Sequence, residues 1–283
     1  NPSIHINTNV YGKDRSFCLG GQFASEKYTE KGMNKKSIKL ILDTLYDPKV
    51  ESGAFDKKNF EIVKHNYIEG LKAMKDHPMA YSKMRFYEEL KVLACDQFKL
   101  DEAIDFAQSI DEKKLYEYYK SIFETNSLDI FVTGSFEPKE MKEIITSLIS
   151  GKFVKKGKNR KITHDKFRKN PKEIIEVTKA NQSNLCIGLK LKDLTDFERK
   201  YVSTVYTGIL GGSWNGKLMQ EIREKHSYCY SIYATKEIPA SLIYIFAGID
   251  EKNYKEVLKL IKKQTKAMEE GNFTEDDILE VQK

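Results

Sequence analysis

The densest chemistry in the chain lies between Gly208 and Ala234, which read GILGGSWNGKLMQEIREKHSYCYSIYA. Gly211–Lys217, G-G-S-W-N-G-K, matches the G-x-x-x-x-G-K core of a phosphate loop. The next residue is Leu218, so the Ser or Thr that would meet Mg²⁺ is missing. The segment also follows a helical pattern, whereas a phosphate loop follows a strand. Gly211–Asn215 nearly matches G-x-S-x-G, but its last residue is Asn and its lead-in is helical, so no nucleophile elbow forms. What remains is a helix-to-helix turn whose glycines permit φ > 0 and a close approach to a peptide backbone.

The metal-binding and nucleophilic residues are scattered. His5, His65, His77, His164 and His226 form no H-x-x-x-H or H-E-x-x-H pair. Cys18, Cys95, Cys186 and Cys229 form no C-x-x-C. Isolated cysteines of this kind are expected to be buried thiols in a reducing compartment, and the expected location is cytoplasmic. His65 and Glu69 stand four apart on one helix face, a spacing that suits a surface pair. The run Lys152–Lys169 carries nine Lys or Arg residues and one acid, Asp165. Such a run between two folded patterns reads as a solvated linker. It lacks the interleaved aromatics of a base-stacking surface, so no nucleic-acid partner is expected.

These residues must be positioned by 283 residues that are 40% apolar and 32% charged, with a net charge of +6. That length supports one or two domains and a core without disulfide or metal staples. The uncharged run Tyr201–Gly216 is too short and too glycine-rich to cross a membrane, so no membrane partner is expected. Strands are expected around a turn at Gly12–Asp14, at Leu128–Thr133, Glu173–Thr178, Asn184–Leu191, Tyr228–Ala234 and Leu242–Ile249. Helices are expected over 36–46, 56–74, 79–94, 101–109, 111–124, 137–150, 196–210, 218–225 and 253–270. Asp56 is the expected N-cap of the second helix, whose apolar positions would be Phe60, Val63, Tyr67, Leu71 and Met74. Thr274-x-x-Asp277 reads as a capping box. The chain opens on an alternating strand pattern and stops soon after that box, so it is expected to be a segment cut from a longer protein. The mixture of antiparallel strands and segregated helices argues α+β. Two related units are expected, 1–151 and 171–283, joined by a basic linker at 152–170.

The stretch 208–234 resembles the second domain of the pitrilysin/insulinase metallopeptidase family. The resemblance rests on the Gly-rich turn, the helix start Lys217-Leu218, then Arg223-Glu224-Lys225 and an aromatic strand bearing Tyr230, seven residues after Arg223. In the first unit, Phe55-Asp56 and its long helix, Asp76-His77-Pro78, the Leu115–Lys120 helix and Ile130–Gly134 look like the family's metal-site region. The resemblance implies two truncated units, each a mostly antiparallel sheet with helices packed on it, that enclose a chamber for unfolded peptides. It implies that Arg223 and Tyr230 reach toward a substrate carbonyl, where a cation and a phenol suit a developing oxyanion. Gly211, Gly212, Arg223 and Tyr230 are the substrate-binding residues it implies.

The same resemblance exposes a departure. The family binds Zn²⁺ through H-x-x-E-H and a Glu on a later helix, and the motif's Glu acts as base. The H-x-x-E-H would lie upstream of Asn1. Helix register places the later ligand at Gly70 and a supporting acid at Val63, and neither can bind zinc. The sequence is therefore closest to a bacterial subgroup that lacks the peptidase residues. The expectation is a catalytically inactive member, without a cofactor of its own, that binds peptides or a catalytically active homologous subunit. The alternative is an active zinc endopeptidase in which Glu61 or Glu69 replaces the missing ligand. The two differ in whether turnover and zinc are present.

Overall fold

The computed structural model describes residues 3–11, 14–90, 99–151, 170–179 and 182–282. The basic linker falls outside these except for Asn170, as do Cys95 and the Gly12-Lys13 part of the first turn. The chain divides into two units. Each is described by itself.

The first unit begins with β1 (Ser3–Tyr11) and β2 (Asp14–Gln22), paired as a two-stranded sheet. The helix α1 (Met33–Tyr46) follows and ends before Pro48, which has no N–H to continue it. A small antiparallel hairpin comes next, β3 (Val50–Glu51) and β4 (Ala54–Phe55). Ser52 and Gly53 connect it with φ of 51° and 78°, the left-handed pair that a two-residue hairpin needs. The sequence reading missed this hairpin, because two-residue strands carry no alternation to detect. The helix α2 (Lys57–Asp76) then starts at its expected cap, where the Asn59 N–H donates to Asp56 Oδ1 at 2.9 Å.

The buried stripe of α2 differs from the expected one. Phe60 and Ile68 face inward, whereas Val63, Tyr67 and Met74 are exposed. Lys64 completes the inward face: its Nζ donates to the carbonyls of Gln108 and Ile110 at 2.8 and 2.7 Å. Those carbonyls lie at the C-terminal end of α4 (Leu100–Ser109), where helix carbonyls lack partners. A lysine thus occupies a position that a purely apolar pattern assigns to its neighbour. Asp111 caps α5 (Glu112–Thr125) through the Lys114 N–H at 2.7 Å. On this helix Tyr116, Tyr119 and Phe123 join Phe55 and Tyr46 in an aromatic cluster with centroids 5.1–6.1 Å apart. The Tyr119 hydroxyl donates to the Leu45 carbonyl, and burial pushes it up to about 12. The unit closes with α6 (Pro138–Ile149), which packs on α1.

The helix α3 (Pro78–Leu90) belongs to the second unit, although its place in the sequence put it in the first. Phe86 and Tyr87 account for this: both lie edge-on to Tyr244 and Phe246 of the second unit's central strand. The sheet of that unit is antiparallel throughout, in the order β5 (Ser183–Lys190), β7 (Leu242–Ile249), β6 (Cys229–Glu237). Every residue of β7 is buried, because helices cover both its faces. Leu242, Tyr244 and Phe246 meet α3. Ile243, Ile245, Ala247 and Ile249 meet Leu210, Leu218, Ile222 and the α8 (Tyr254–Glu269) residues Val257, Ile261 and Met268. A strand buried on two faces reads as the unbroken apolar run LIYIFAGI rather than an alternation.

The helix expected at 196–210 is present and irregular: α7 (Ser203–Thr207) is flanked by π-helical turns at Glu198–Val202 and Gly208–Gly212. The capping box holds, with the Thr274 N–H on Asp277 Oδ2 at 2.8 Å and the Asp277 N–H on Thr274 Oγ1 at 3.2 Å. It starts α9 (Glu275–Gln282). Two expected strands do not form. Leu128–Thr133 and Glu173–Thr178 are irregular, and Phe131 and Val177 are 90% and 95% exposed. Each has strand-like composition, but no described strand pairs with it to complete a hydrogen-bond ladder. The α+β assignment stands, with antiparallel strands and helices packed on the larger sheet.

Candidate functional site

Gly211 breaks the helical path after Leu210, adopting φ −173° and ψ 23°. Its buried α-carbon lies against β6, where an added Cβ would meet Ala234 N at 3.1 Å and Leu218 Cδ1 at 3.2 Å. Gly216 returns over the same spot. A Cβ there would come within 2.8 Å of Gly211 Cα. The turn therefore crosses itself at two glycines, and it needs them for close packing rather than for the positive φ expected, which neither adopts. The second of these is Gly216, which the sequence reading did not single out for this role. Gly212 is exposed beside Gly211.

Three hydrogen bonds hold the turn's shape. The Gly216 N–H donates to Ser213 O at 3.1 Å, and Gln220 Nε2 donates to Trp214 O at 3.0 Å. Asn215 Nδ2 donates to Glu280 Oε1 of α9. Trp214 projects from the tip with 70% of its surface exposed. The helix Met219–Lys225 follows, its Met219 and Ile222 buried in the core. Glu221 ties this helix to α8 through Lys263 at 3.5 Å and accepts Lys225 at 3.4 Å. Burial pushes the Glu221 carboxyl up, but Lys225 and Lys263 outweigh this and hold it below the usual carboxylate value.

Arg223 lies on the outer side of that helix. Its guanidinium carbon is 5.1 Å from the centroid of the Trp214 ring, a cation–π pair. Its other contacts are long: Met219 Sδ at 3.9 Å and Glu224 Oε1 at 3.7 Å. The chain then turns at Ser227, with φ 54°, and enters β6. A bulge lies between Cys229 and Ser231, which pair with Ile249 and Gly248 in succession. Tyr230 is the extra residue. The bulge interrupts the alternation, so Tyr230 and Ser231 are exposed in sequence and the phenol is 66% exposed. Cys229 stays buried, and burial pushes its thiol up to about 11 despite Arg223 nearby.

Gly211, Gly212 and Arg223 thus share one turn-and-helix element, and Tyr230 occupies the bulged start of the strand packed beneath it. Trp214 joins them and was missed. Its signal was its uniqueness: it is the chain's only tryptophan, placed in a glycine-rich turn.

The position where the resemblance places a zinc ligand lies on α2. Gly70 is exposed, and a Cβ there would have nothing within 4 Å. Val63 is 67% exposed. Neither carries a donor atom. Glu69 and Glu61 are exposed, but at about 100° per residue they project about 100° and about 180° away from Gly70. The residues at this position do not fit a zinc site. Among the described residues, no three His, Cys, Asp or Glu side chains converge where they could hold a metal.

The family model for the Peptidase M16 inactive domain matches residues 109–283, and the chain belongs to this family of pitrilysin/insulinase metallopeptidases and their homologues. The resemblance read from residues 208–234 is borne out. A "Probable inactive metalloprotease YmfF" from Bacillus subtilis (strain 168) is 26% identical over 279 residues, covering 98% of this chain and 65% of its own. This chain therefore spans less than two thirds of that relative's length. A conserved protein from Enterococcus faecalis V583 superposes with a TM-score of 0.82 at 20% identity, over 99% of this chain and 66% of that one. A peptidase M16 inactive domain from Pseudomonas fluorescens gives 0.68 at 15%, over 98% of this chain and 65% of that one. Among the described residues, no helix is long and apolar enough to cross a membrane.

Proposed function

We propose that the protein is a non-catalytic M16-family member that holds extended peptides or a catalytically active homologous subunit, without a zinc ion of its own and without a nucleic-acid partner. The observation that carries this reading is Gly70. Where the family's third ligand is expected, the helix presents a hydrogen atom and open space. Loss of one of three protein ligands leaves too few to hold zinc with an open catalytic position. The name of the B. subtilis relative, a probable inactive metalloprotease, supports the same reading.

The peptide-holding half of the reading is supported by the surface around β6. There the indole, guanidinium and phenol of Trp214, Arg223 and Tyr230 remain largely or partly exposed on well-packed elements. A cytoplasmic location fits Cys186 and Cys229, whose thiols are free and are pushed up to about 12 and about 11 by burial.

The test is a peptidase assay on the full-length protein with quenched fluorescent peptides and unfolded casein, with and without added zinc. The expected result is no turnover in either condition. Turnover that a chelator abolishes and zinc restores would overturn the reading.

A further inference from the structure

The structure couples Trp214 of the turn to Arg223 of the helix that follows it. The backbone that carries the Trp214 ring is held in place. Its carbonyl is taken by Gln220, its turn is crossed at Gly211 and Gly216, and the next residue is tied to Glu280. One face of the indole is covered by the guanidinium at 5.1 Å. The ring as a whole is still 70% exposed. The turn that presents the ring is therefore ordered before any ligand arrives, so little backbone entropy remains to be lost on binding.

The guanidinium is also underused. Arg carries five N–H donors in a planar fork. The contacts of Arg223, to Glu224 at 3.7 Å and to Met219 Sδ at 3.9 Å, both come from Nη1 and use only part of that fork, and its side chain remains 35% exposed. Stacking on an indole engages the face of the guanidinium and leaves its edge available for a carboxylate. The paired residues therefore offer two chemistries side by side: an apolar face and a bidentate cationic edge.

We propose that Trp214 and Arg223 form one recognition element that takes an apolar side chain on the indole and an acidic side chain of the same extended peptide on the guanidinium edge. This deepens the peptide-holding reading and rests on it. The ligand class is an extended peptide with neighbouring apolar and acidic residues, as distinct from a basic one.

The experiment measures fluorescence anisotropy of labelled ten-residue peptides with the full-length protein. One peptide carries Phe-Glu in a Gly/Ser/Thr background, a second Phe-Lys, and a third Ala-Glu. The Phe-Glu peptide should bind about tenfold tighter than either other peptide, which corresponds to about 1.4 kcal/mol. Trp214→Ala should remove that margin, with unchanged thermal unfolding because the ring is exposed. Trp214→Phe should keep most of it. Arg223→Lys should lose the preference for Glu over Lys while keeping that for Phe over Ala, a split that a merely structural role would not produce. Binding of all three peptides with equal affinity, or a margin that survives Trp214→Ala, would overturn the inference and leave peptide holding intact. No binding of any peptide would overturn both.

Discussion

At Gly216 a methyl group would have to displace backbone. The added carbon would lie 2.8 Å from Gly211 Cα and 3.1 Å from Ser213 O, so neither neighbour is a side chain that can rotate away. Gly216→Ala should destabilise the protein by about 1–3 kcal/mol, as overpacking does, and should disturb Trp214 with it. Denaturant unfolding of the variant measures the first effect, and the tryptophan emission maximum the second. Thiols give a second test at this scale. Cys186 and Cys229 are pushed up to about 12 and about 11 by burial, so few of them are thiolate at neutral pH. Iodoacetamide at neutral pH should reach half-buried Cys18 first; equal rates at all three would contradict the burial described. The candidate site was legible chiefly through the family resemblance. The glycines stood out by type as a turn, but Arg223 and Tyr230 were singled out by the resemblance of 208–234. The exposure of Tyr230 depends on a bulge that no local composition signals. Trp214 went unread because an aromatic in a glycine-rich turn has no periodicity to announce its orientation.

Among the elements, the helix α3 holds the segment leading to β5 by charge. Arg85 pairs with Glu176 at 2.7 Å, and with Glu88 and Glu89 on its own helix. Lys172 reaches Glu89, and the Tyr81 hydroxyl donates to Glu176 at 3.2 Å. The hydrogen bond from Arg85 holds the Glu176 carboxyl below its ordinary value of 4.5. A carboxyl whose folded value is depressed stabilises fully above its unfolded value and loses that contribution as the pH falls through the folded one. Glu176→Gln should therefore lower Tm at pH 7, and the gap from the parent protein should close as the pH drops below 4.5. A gap that persists unchanged to pH 3 would contradict the pairing. This network also explains a failed expectation. The run Glu173–Thr178 looks like a strand, but Glu176 fastens it to a helix, and Ile175 and Val177 stay 74% and 95% exposed. Composition reports what a segment could do in a ladder and not whether a neighbouring strand is there. The same limit applies to Leu128–Thr133. Elements whose signal is internal were read well: the Asp56 cap, the Thr274–Asp277 box and the apolar run of β7 all follow from local chemistry. The α2 stripe was read less well, because Lys64 buries its stem and sends its ammonium to the carbonyls at the C-terminal end of α4.

For the molecule as a whole, the α+β class was legible because strand and helix patterns alternate without the regular βαβ repeat of a parallel sheet. The membership of α3 in the second unit was not, since only the aromatic packing of Phe86 and Tyr87 on Tyr244 and Phe246 reveals it. Family membership joins these scales. On the proposed reading, Gly70 is the place where a metal ligand is missing, and Arg223 and Tyr230 are the pair that would face a peptide. The central claim is that the family fold persists here without the metal site. It is tested most directly by the zinc content of the full-length protein, measured by elemental mass spectrometry after gentle dialysis and again after incubation with zinc. The account predicts no stoichiometric zinc in either sample. One zinc per chain would contradict it, and would place the third ligand somewhere other than Gly70.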